Sequence, residues 1–314
     1  MLLKKSCLLV VTALAATSAF AAGNSSVTDG SAPLNSGSVP ATNNNVSLSN
    51  QRITDPGARA PSTTMTLGTR TGSEIGLSAA FYRYQESSVG VTEQGPKAAI
   101  DYSGTYKFKD GPFLRGELKY ANGPASYSSV SGSKTNPNWY AEARALIGFD
   151  MNFASYDISP YTGVGYRYLE DKAAGYTSIG DIGYDRRSQY LYIPIGFIDR
   201  VHVGSNSSRL TTTMEFDFLV AGQQKSSTSS LTGNNGVTAA GDLTNNQHSG
   251  IGLRMSSVYE TRNWSIGPYF VFWNIGQSDV SSFNVTQNGV TSNIPAIEPT
   301  NNTIEFGIRG ALRF

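Results

Sequence analysis

The sequence predicts an all-β chain, an antiparallel transmembrane β-barrel of about ten strands, and three observations predict it. The 314 residues contain repeated segments in which apolar and polar side chains alternate with period two. The connections between these segments alternate in length, and nothing beyond the first 21 residues is a continuous apolar run long enough for a spanning helix. Alternate residues of a strand point to opposite faces, so each segment has one apolar and one polar wall. A barrel in lipid needs only every second residue apolar, whereas a spanning helix needs roughly 20 in succession. Mean hydropathy is accordingly slightly negative despite 17 Tyr, 14 Phe and 33 Gly.

The first element is an export signal over residues 1–21. Lys4 and Lys5 open it, residues 8–16 are its apolar run, and Ala19, Phe20 and Ala21 form a small-x-small cleavage site. Cys7, the chain's one cysteine, lies inside this leader. The mature chain is therefore expected to hold no disulfide, thiolate metal site or cysteine nucleophile. Without Lys4 and Lys5, 22 basic residues face 23 acidic ones, a balance with no nucleic-acid footprint. Residues 22–72 follow as a Ser/Asn/Thr/Pro-rich tail (NNNVSLSN, DPGARAPSTT), expected to be disordered because it has few large apolar residues. A flexible chain of that length spans about 40 Å, enough to reach periplasmic partners or thread back into a lumen. No sequence pattern in it favours either use.

The barrel is expected over residues 73–314. Its strands are read as 74–86, 97–108, 112–121, 138–149, 156–169, 187–199, 208–221, 249–260, 264–276 and 303–314. In the second, Ala98, Ile100, Tyr102, Tyr106 and Phe108 oppose Lys97, Asp101, Ser103, Thr105 and Lys107. In the fourth, Trp139, Ala141, Ala143, Ala145, Ile147 and Phe149 oppose Glu142 and Arg144. The seventh sets Leu210, Met214, Phe216, Phe218 and Val220 against Thr213, Glu215 and Asp217. The sixth and ninth, LYIPIGF and PYFVFW, are apolar on both faces and leave the inward face open.

Short connections at 109–111, 150–155, 201–207 and 261–263 alternate with long ones at 122–137, 170–186, 222–248 and 277–302. Short periplasmic turns and long external loops characterise barrels of this kind, which places both termini in the periplasm and requires an even strand number. The long loops are rich in Ser, Asn, Gly and Thr and read as hydrated surface. Asn288 and Gly289, flanked by FNVTQ and VTSNI, predict a hairpin closed by a type I′ turn. Embedding it would give twelve strands, but polar Asn284, Gln287, Thr291 and Asn293 argue for a projection beyond the membrane.

The last strand, TIEFGIRGALRF, carries Ile304, Phe306, Ile308, Leu312 and Phe314 on its apolar face. It resembles the closing strand of bacterial outer-membrane β-barrel proteins, with Gly310 standing where that class usually has a bulky apolar residue. The resemblance implies a Gram-negative outer-membrane location and contact with outer-membrane lipid and lipopolysaccharide. It also implies recognition by the barrel-assembly machinery through Phe306, Ile308, Leu312 and Phe314.

Function, if it were transport, would lie in the lumen. With the polar face inward, candidate lumen ion pairs come from Lys97, Asp101, Arg115, Glu117, Glu142, Arg144, Arg167, Glu215, Asp217, Arg254, Glu305 and Arg309. Lys107, Lys119 and Asp157 share that face. Balanced, interleaved charge in a barrel this narrow favours internal pairing, which makes the lumen occluded. A narrow porin-like channel selective by charged rings is the alternative.

An outer-membrane hydrolase is the third reading. Ten-stranded outer-membrane proteases place His and Asp pairs at the external rim. Here His202 falls in a predicted periplasmic turn, and His248, with Asp242 before it, lies at the external end of the eighth strand. Ser249 follows His248, but neighbouring residues face opposite walls and cannot form a relay on a regular strand. No catalytic, metal or cofactor site is assigned.

Aromatic girdles are expected from Tyr82, Tyr84, Trp139, Tyr166, Tyr168, Tyr190, Tyr192 and Trp273 at the external strand ends. Phe108, Phe113, Phe149, Phe153, Trp264 and Phe314 would form the periplasmic girdle. The function expected from these features is that of a non-enzymatic surface protein whose external loops serve structure or contact with host or environmental ligands.

Overall fold

The computed structural model describes residues 65–314, apart from 110, 154–155 and 205–206. The expected signal peptide and most of the expected tail lie outside the described residues. Ten strands form the barrel: β1 Gly72–Glu86, β2 Val91–Lys107, β3 Phe113–Ser129, β4 Gly132–Gly148, β5 Tyr156–Asp171, β6 Arg186–Val203, β7 Ser208–Ser226, β8 Gly250–Glu260, β9 Trp264–Ile275 and β10 Asn301–Arg313. Each pairs antiparallel with its neighbours in chain order, and β10 pairs with β1 to close the cylinder, Phe306 opposite Phe81 and Leu312 opposite Ile75. The seam continues to the C-terminus, where Ser73 and Phe314 exchange backbone hydrogen bonds of 2.8 and 3.0 Å. Full closure leaves no edge in the barrel, the condition for crossing lipid.

The alternation sorts as read. Leu77, Leu118, Ile195, Phe218, Ile308 and Leu312 are among the exposed apolar side chains that form a belt round the outside. So much exposed apolar surface on strands is what a membrane-spanning barrel presents. The two ambiguous segments resolve by register: Leu191, Ile193, Ile195 and Phe197 of β6 face out, and Tyr192 faces in. On β9, Phe270 and Phe272 face the outside while Val271 and Trp273 are buried.

Strand lengths differ from the sequence reading. The seven strands β1 to β7 run 15 to 19 residues, against 11 to 13 for β8, β9 and β10. About 9–11 residues suffice to span, so the first seven rise beyond the apolar belt. The expected loop over 122–137 is instead a continuation of β3 and β4, paired from Asn122 opposite Trp139 up to Ser129 opposite Gly132. That hairpin stands about 20 Å tall along the strand. Outside lipid neither face must be apolar, so the alternation that marks a strand disappears while the ladder continues. Gly95 and Gly123 permit a close approach of β2 and β3 at the Pro96 and Pro124 interruption, where an added Cβ would sit about 2 Å from a backbone oxygen.

The remaining long connections carry structure as well. Ser281–Gln287 and Val290–Ala296 form the expected hairpin, with Asn288 at φ 50° and Gly289 at φ 80° as a type I′ turn requires. Val237–Ala240 pairs with it to make a three-stranded sheet separate from the barrel, so the strand number is ten rather than twelve. Leu243–Gln247 extends the β7 ladder from Gly222 to Ser226. Hydrogen bonds knit this end together: Ser178 to Ser133, Tyr176 to Asn234, Ser227 to Asp185 and Asn245 to Ala296. The expected hydrated loops thus form a structured crown.

Candidate functional site

Period-two alternation places Arg115, Glu117 and Lys119 of β3, Glu142 and Arg144 of β4, and Glu215 and Asp217 of β7 on the inner wall. Register then sets Glu117 beside Arg144 and Glu215 beside Arg254. The longer contacts cross the lumen. Arg254 of β8 donates to Glu142 of β4 at 2.8 Å and to Asp217 at 2.6 Å, and stands 3.3 Å from Glu215. Arg144 joins Glu117 at 2.8 Å to Glu215, whose carboxylate also accepts the Tyr161 hydroxyl at 2.7 Å. Glu305 of β10 takes Lys119 at 2.9 Å and the hydroxyls of Tyr140 and Tyr269 at 2.8 Å each. Arg115 pairs with Glu117 at 2.6 Å and Arg309 with Asp101 at 2.8 Å.

Among the described residues, ten of the twelve lumen candidates make ion pairs and two do not. Lys97 is buried with its ammonium donating to the Asn138 side chain at 2.6 Å and lying 4.9 Å from the Tyr82 ring. Arg167 is buried with its guanidinium 4.3 Å from the Tyr140 ring, and its Nε and Nη2 lack hydrogen-bond partners. Both were expected in ion pairs; aromatic faces and an amide receive them instead. Sequence reasoning missed the tyrosine hydroxyls that complete the network, although parity alone places Tyr140, Tyr161, Tyr192 and Tyr269 inward.

The expected external girdle needs a related correction. Tyr82, Tyr190, Tyr192 and Trp273 are buried, the last three in one cluster with Val271 and Ile275, and Tyr192 meets Trp273 edge-on at 5.1 Å. They fill the lumen above the ion pairs. Tyr84 turns inward too, donating to Glu86 at 2.7 Å, and Phe113 is 1% exposed. Trp139 and Tyr168, in contact at 5.3 Å, and the exposed Tyr166 remain outside at that height. Phe108, Phe149, Phe153, Trp264 and Phe314 are exposed at the other end. Phe306, Ile308, Leu312 and Phe314 all face outward, 55 to 74% exposed.

Above the Trp139 level, the inner wall carries a rim of carboxyl groups, Glu86, Glu93, Asp171 and Glu298. Arg186 pairs with Glu86 at 2.7 Å and with Glu298. Burial pushes the Glu298 carboxyl up to about 7, with Arg186 pulling the other way. Glu93 lies beside Asp171, and neither is in an ion pair among the described residues. Burial, with Asp171 next to it, raises the Glu93 carboxyl well above the usual range, and burial raises Asp171 as well.

At the opposite, turn end lies a cavity of about 250 Å³, with Thr69 and Arg70 among its lining residues. His202 belongs to β6 rather than to a turn, and its Nδ1 is buried without a partner among the described residues. His248 is exposed and contacts Asp279 at 2.8 Å, whereas Asp242 pairs with Lys225 at 3.0 Å. Among the described residues no three His, Cys, Asp or Glu side chains are grouped to hold a metal ion.

No protein-family model matches the chain, and no curated protein matches it. Solved structures of similar fold include the outer-membrane protease OmpT from Escherichia coli. It is 11% identical with a TM-score of 0.49, and the match covers 80% of this chain and 100% of that one. Neisserial surface protein A is 12% identical with a TM-score of 0.30, covering 78% and 98% of the two chains. Ail, the attachment invasion locus protein of Yersinia pestis, is 10% identical with a TM-score of 0.29, covering 78% and 100%. At these identities the likeness is one of fold alone. The closed ten-stranded antiparallel ladder and outward apolar belt make the chain a transmembrane β-barrel.

Proposed function

We propose that this is a non-enzymatic outer-membrane protein whose barrel is an occluded scaffold and whose crown, facing outward from the cell, makes contact with host or environmental surfaces. On this reading the leader is cleaved and both termini lie in the periplasm. The observation that carries it is the cross-lumen network, which ties β3 and β4 to β7, β8 and β10 and pairs ten of the inward charges with one another. A conducting pore needs a continuous water path, and direct charge pairs across ten strands oppose one. The crown adds exposed apolar side chains suited to contact: Val130, Tyr176, Ile179, Val280 and Val290 are each 65 to 71% exposed. Single-molecule recording of the purified full chain in planar bilayers tests the scaffold, with no discrete opening steps expected. Reproducible steps would overturn it in favour of a narrow channel. The contact role is tested by adherence of cells displaying the chain to immobilised matrix proteins, expected to fall when residues 279–297 are exchanged for a short Gly/Ser link.

A further inference from the structure

The segment before β1 crosses the turn end of the barrel, and its contacts are too specific for a passing tail. Arg209, 2% exposed on the inner face of β7, donates one guanidinium nitrogen to the backbone oxygens of Thr66, Leu67 and Gly68 at 3.0, 3.0 and 3.1 Å. Its Nε pairs with Glu260 at 2.6 Å. On the other wall, Asp150 accepts the Thr69 backbone N–H at 2.9 Å and its hydroxyl at 2.6 Å, while Arg200 donates to the same hydroxyl at 3.2 Å. Arg313, beside the C-terminus, donates to the Arg70 oxygen at 3.1 Å. Met65 is 6% exposed. Residues from β7, β6, β10 and the β4–β5 turn therefore converge on the five residues 66–70, Arg200 of β6 through the Thr69 hydroxyl and the others through backbone atoms.

We infer that residues 65–70 form a strap that seals the turn-end mouth of the barrel and that its withdrawal opens the 250 Å³ chamber above it to water and small charged solutes. Thr69 and Arg70 are part of the chamber wall, so removing the strap removes part of that wall. The anchoring atoms support a reversible seat. Most accept or donate to strap backbone, and Arg209 keeps Glu260 when the strap leaves, so the buried charge is never stranded. The strap lies directly after the long N-terminal segment, so tension on that segment acts on the strap first. The chamber is too small for a drug-sized ligand, and charged groups from eight of the ten strands line it beside apolar Phe113, Leu146 and Ile198. The ion-pair layer and aromatic cluster above it stay in place, so opening the strap opens a vestibule without opening a through-pore.

The test is thiol accessibility in the full chain carrying Cys7→Ser and Thr211→Cys, a position that lines the chamber and is 8% exposed. A small charged methanethiosulfonate is expected to label it slowly, and Arg209→Ala with Thr69→Ala is expected to accelerate labelling about tenfold, as loss of several charge-assisted bonds should. Folding of each variant is checked by heat-modifiable gel mobility. If Arg209→Ala does not fold, Thr69→Val alone removes the hydroxyl held by Asp150 and Arg200 and is expected to accelerate labelling about threefold. An unchanged rate in a folded variant overturns the strap. So does labelling of Thr211→Cys, with the strap intact, as fast as the exposed control Val290→Cys.

Discussion

Replacing Arg254 by Met removes the one cation in ion-pair contact with both Glu142 and Asp217, which are 6% and 0% exposed. Glu215 keeps Arg144 and the Tyr161 hydroxyl, and Glu142 keeps the Tyr192 hydroxyl at 2.7 Å. Asp217 keeps no cation within ion-pair distance among the described residues. Breaking a buried pair by removing one partner costs about 3–5 kcal/mol, mostly because the other charge is left uncompensated. For a domain of this size that corresponds to a melting shift on the order of 10 °C. Reversible urea unfolding in detergent or lipid, followed by tryptophan emission, reads it; Trp273 lies 5.9 Å from the Arg254 guanidinium and reports locally. The compensated triple Arg254→Met, Glu142→Gln, Asp217→Asn should recover most of the loss, since neutral groups need no counter-charge. A loss under about 1 kcal/mol for Arg254→Met, or no recovery in the triple, refutes the claim that these charges hold one another in a closed lumen.

Three other outcomes are expected. The raised carboxyls of the rim bind protons in the folded state that the unfolded chain releases, so rim stability is greatest below the ordinary carboxylate range. It falls as pH rises towards about 7. Hydrogen exchange of the backbone near Glu298 should accelerate over that interval, and Glu298→Gln should flatten the dependence. Gly289→Val forces a β-branched residue to φ 80°, which should cost the hairpin at least about 1–2 kcal/mol and make residues 281–296 protease-sensitive with the barrel's melting unchanged. Deleting Phe314 removes an outward aromatic and the two backbone bonds to Ser73, and should lower the membrane-inserted fraction more than it lowers the melting temperature of what inserts. Normal insertion of the truncated chain would refute its role in assembly.

The ten strands were legible because lipid imposes the alternation that reveals them: an outward residue such as Leu118 or Ile308 has no choice but to be apolar. The lumen residues follow from parity, which by itself puts Glu142, Glu215 and Arg254 inward. Parity also places Tyr82, Tyr192 and Trp273 inward, yet reading them as girdle residues by their height along the strand overrode it. Above the belt the constraint lapses, so the upper halves of β3 and β4 read as loop. The strap left no periodic trace at all, because Arg209 and Arg313 hold its carbonyl oxygens, which every sequence supplies. The side chains that mark it are the buried Met65, Thr69, and Arg70 with its 3.8 Å contact to Glu260, and three unspaced residues in a Ser/Thr-rich tail are no signal.

The uneven height of the wall gives the cross-lumen network a mechanical reading. Strands β1 to β7 rise beyond the belt and carry the β3–β4 hairpin, while β8, β9 and β10 stop near it. A wall tall on one side and short on the other is loaded unequally when anything pulls on the crown. The longest ties run from the tall side to the short one: Glu142 of β4 to Arg254 of β8, and Lys119 of β3 and Tyr140 of β4 to Glu305 of β10. Neighbouring strands already share a ladder and need no further link, so charge placed between distant strands resists ovalisation of the cylinder instead. On the occluded-scaffold proposal, the same residues that deny a pore therefore brace a platform. On that reasoning, Arg254→Met should loosen the crown, seen as faster hydrogen exchange around Gly132, before it produces any conductance. Conductance appearing with the crown unchanged would mean that the network serves only to block the lumen.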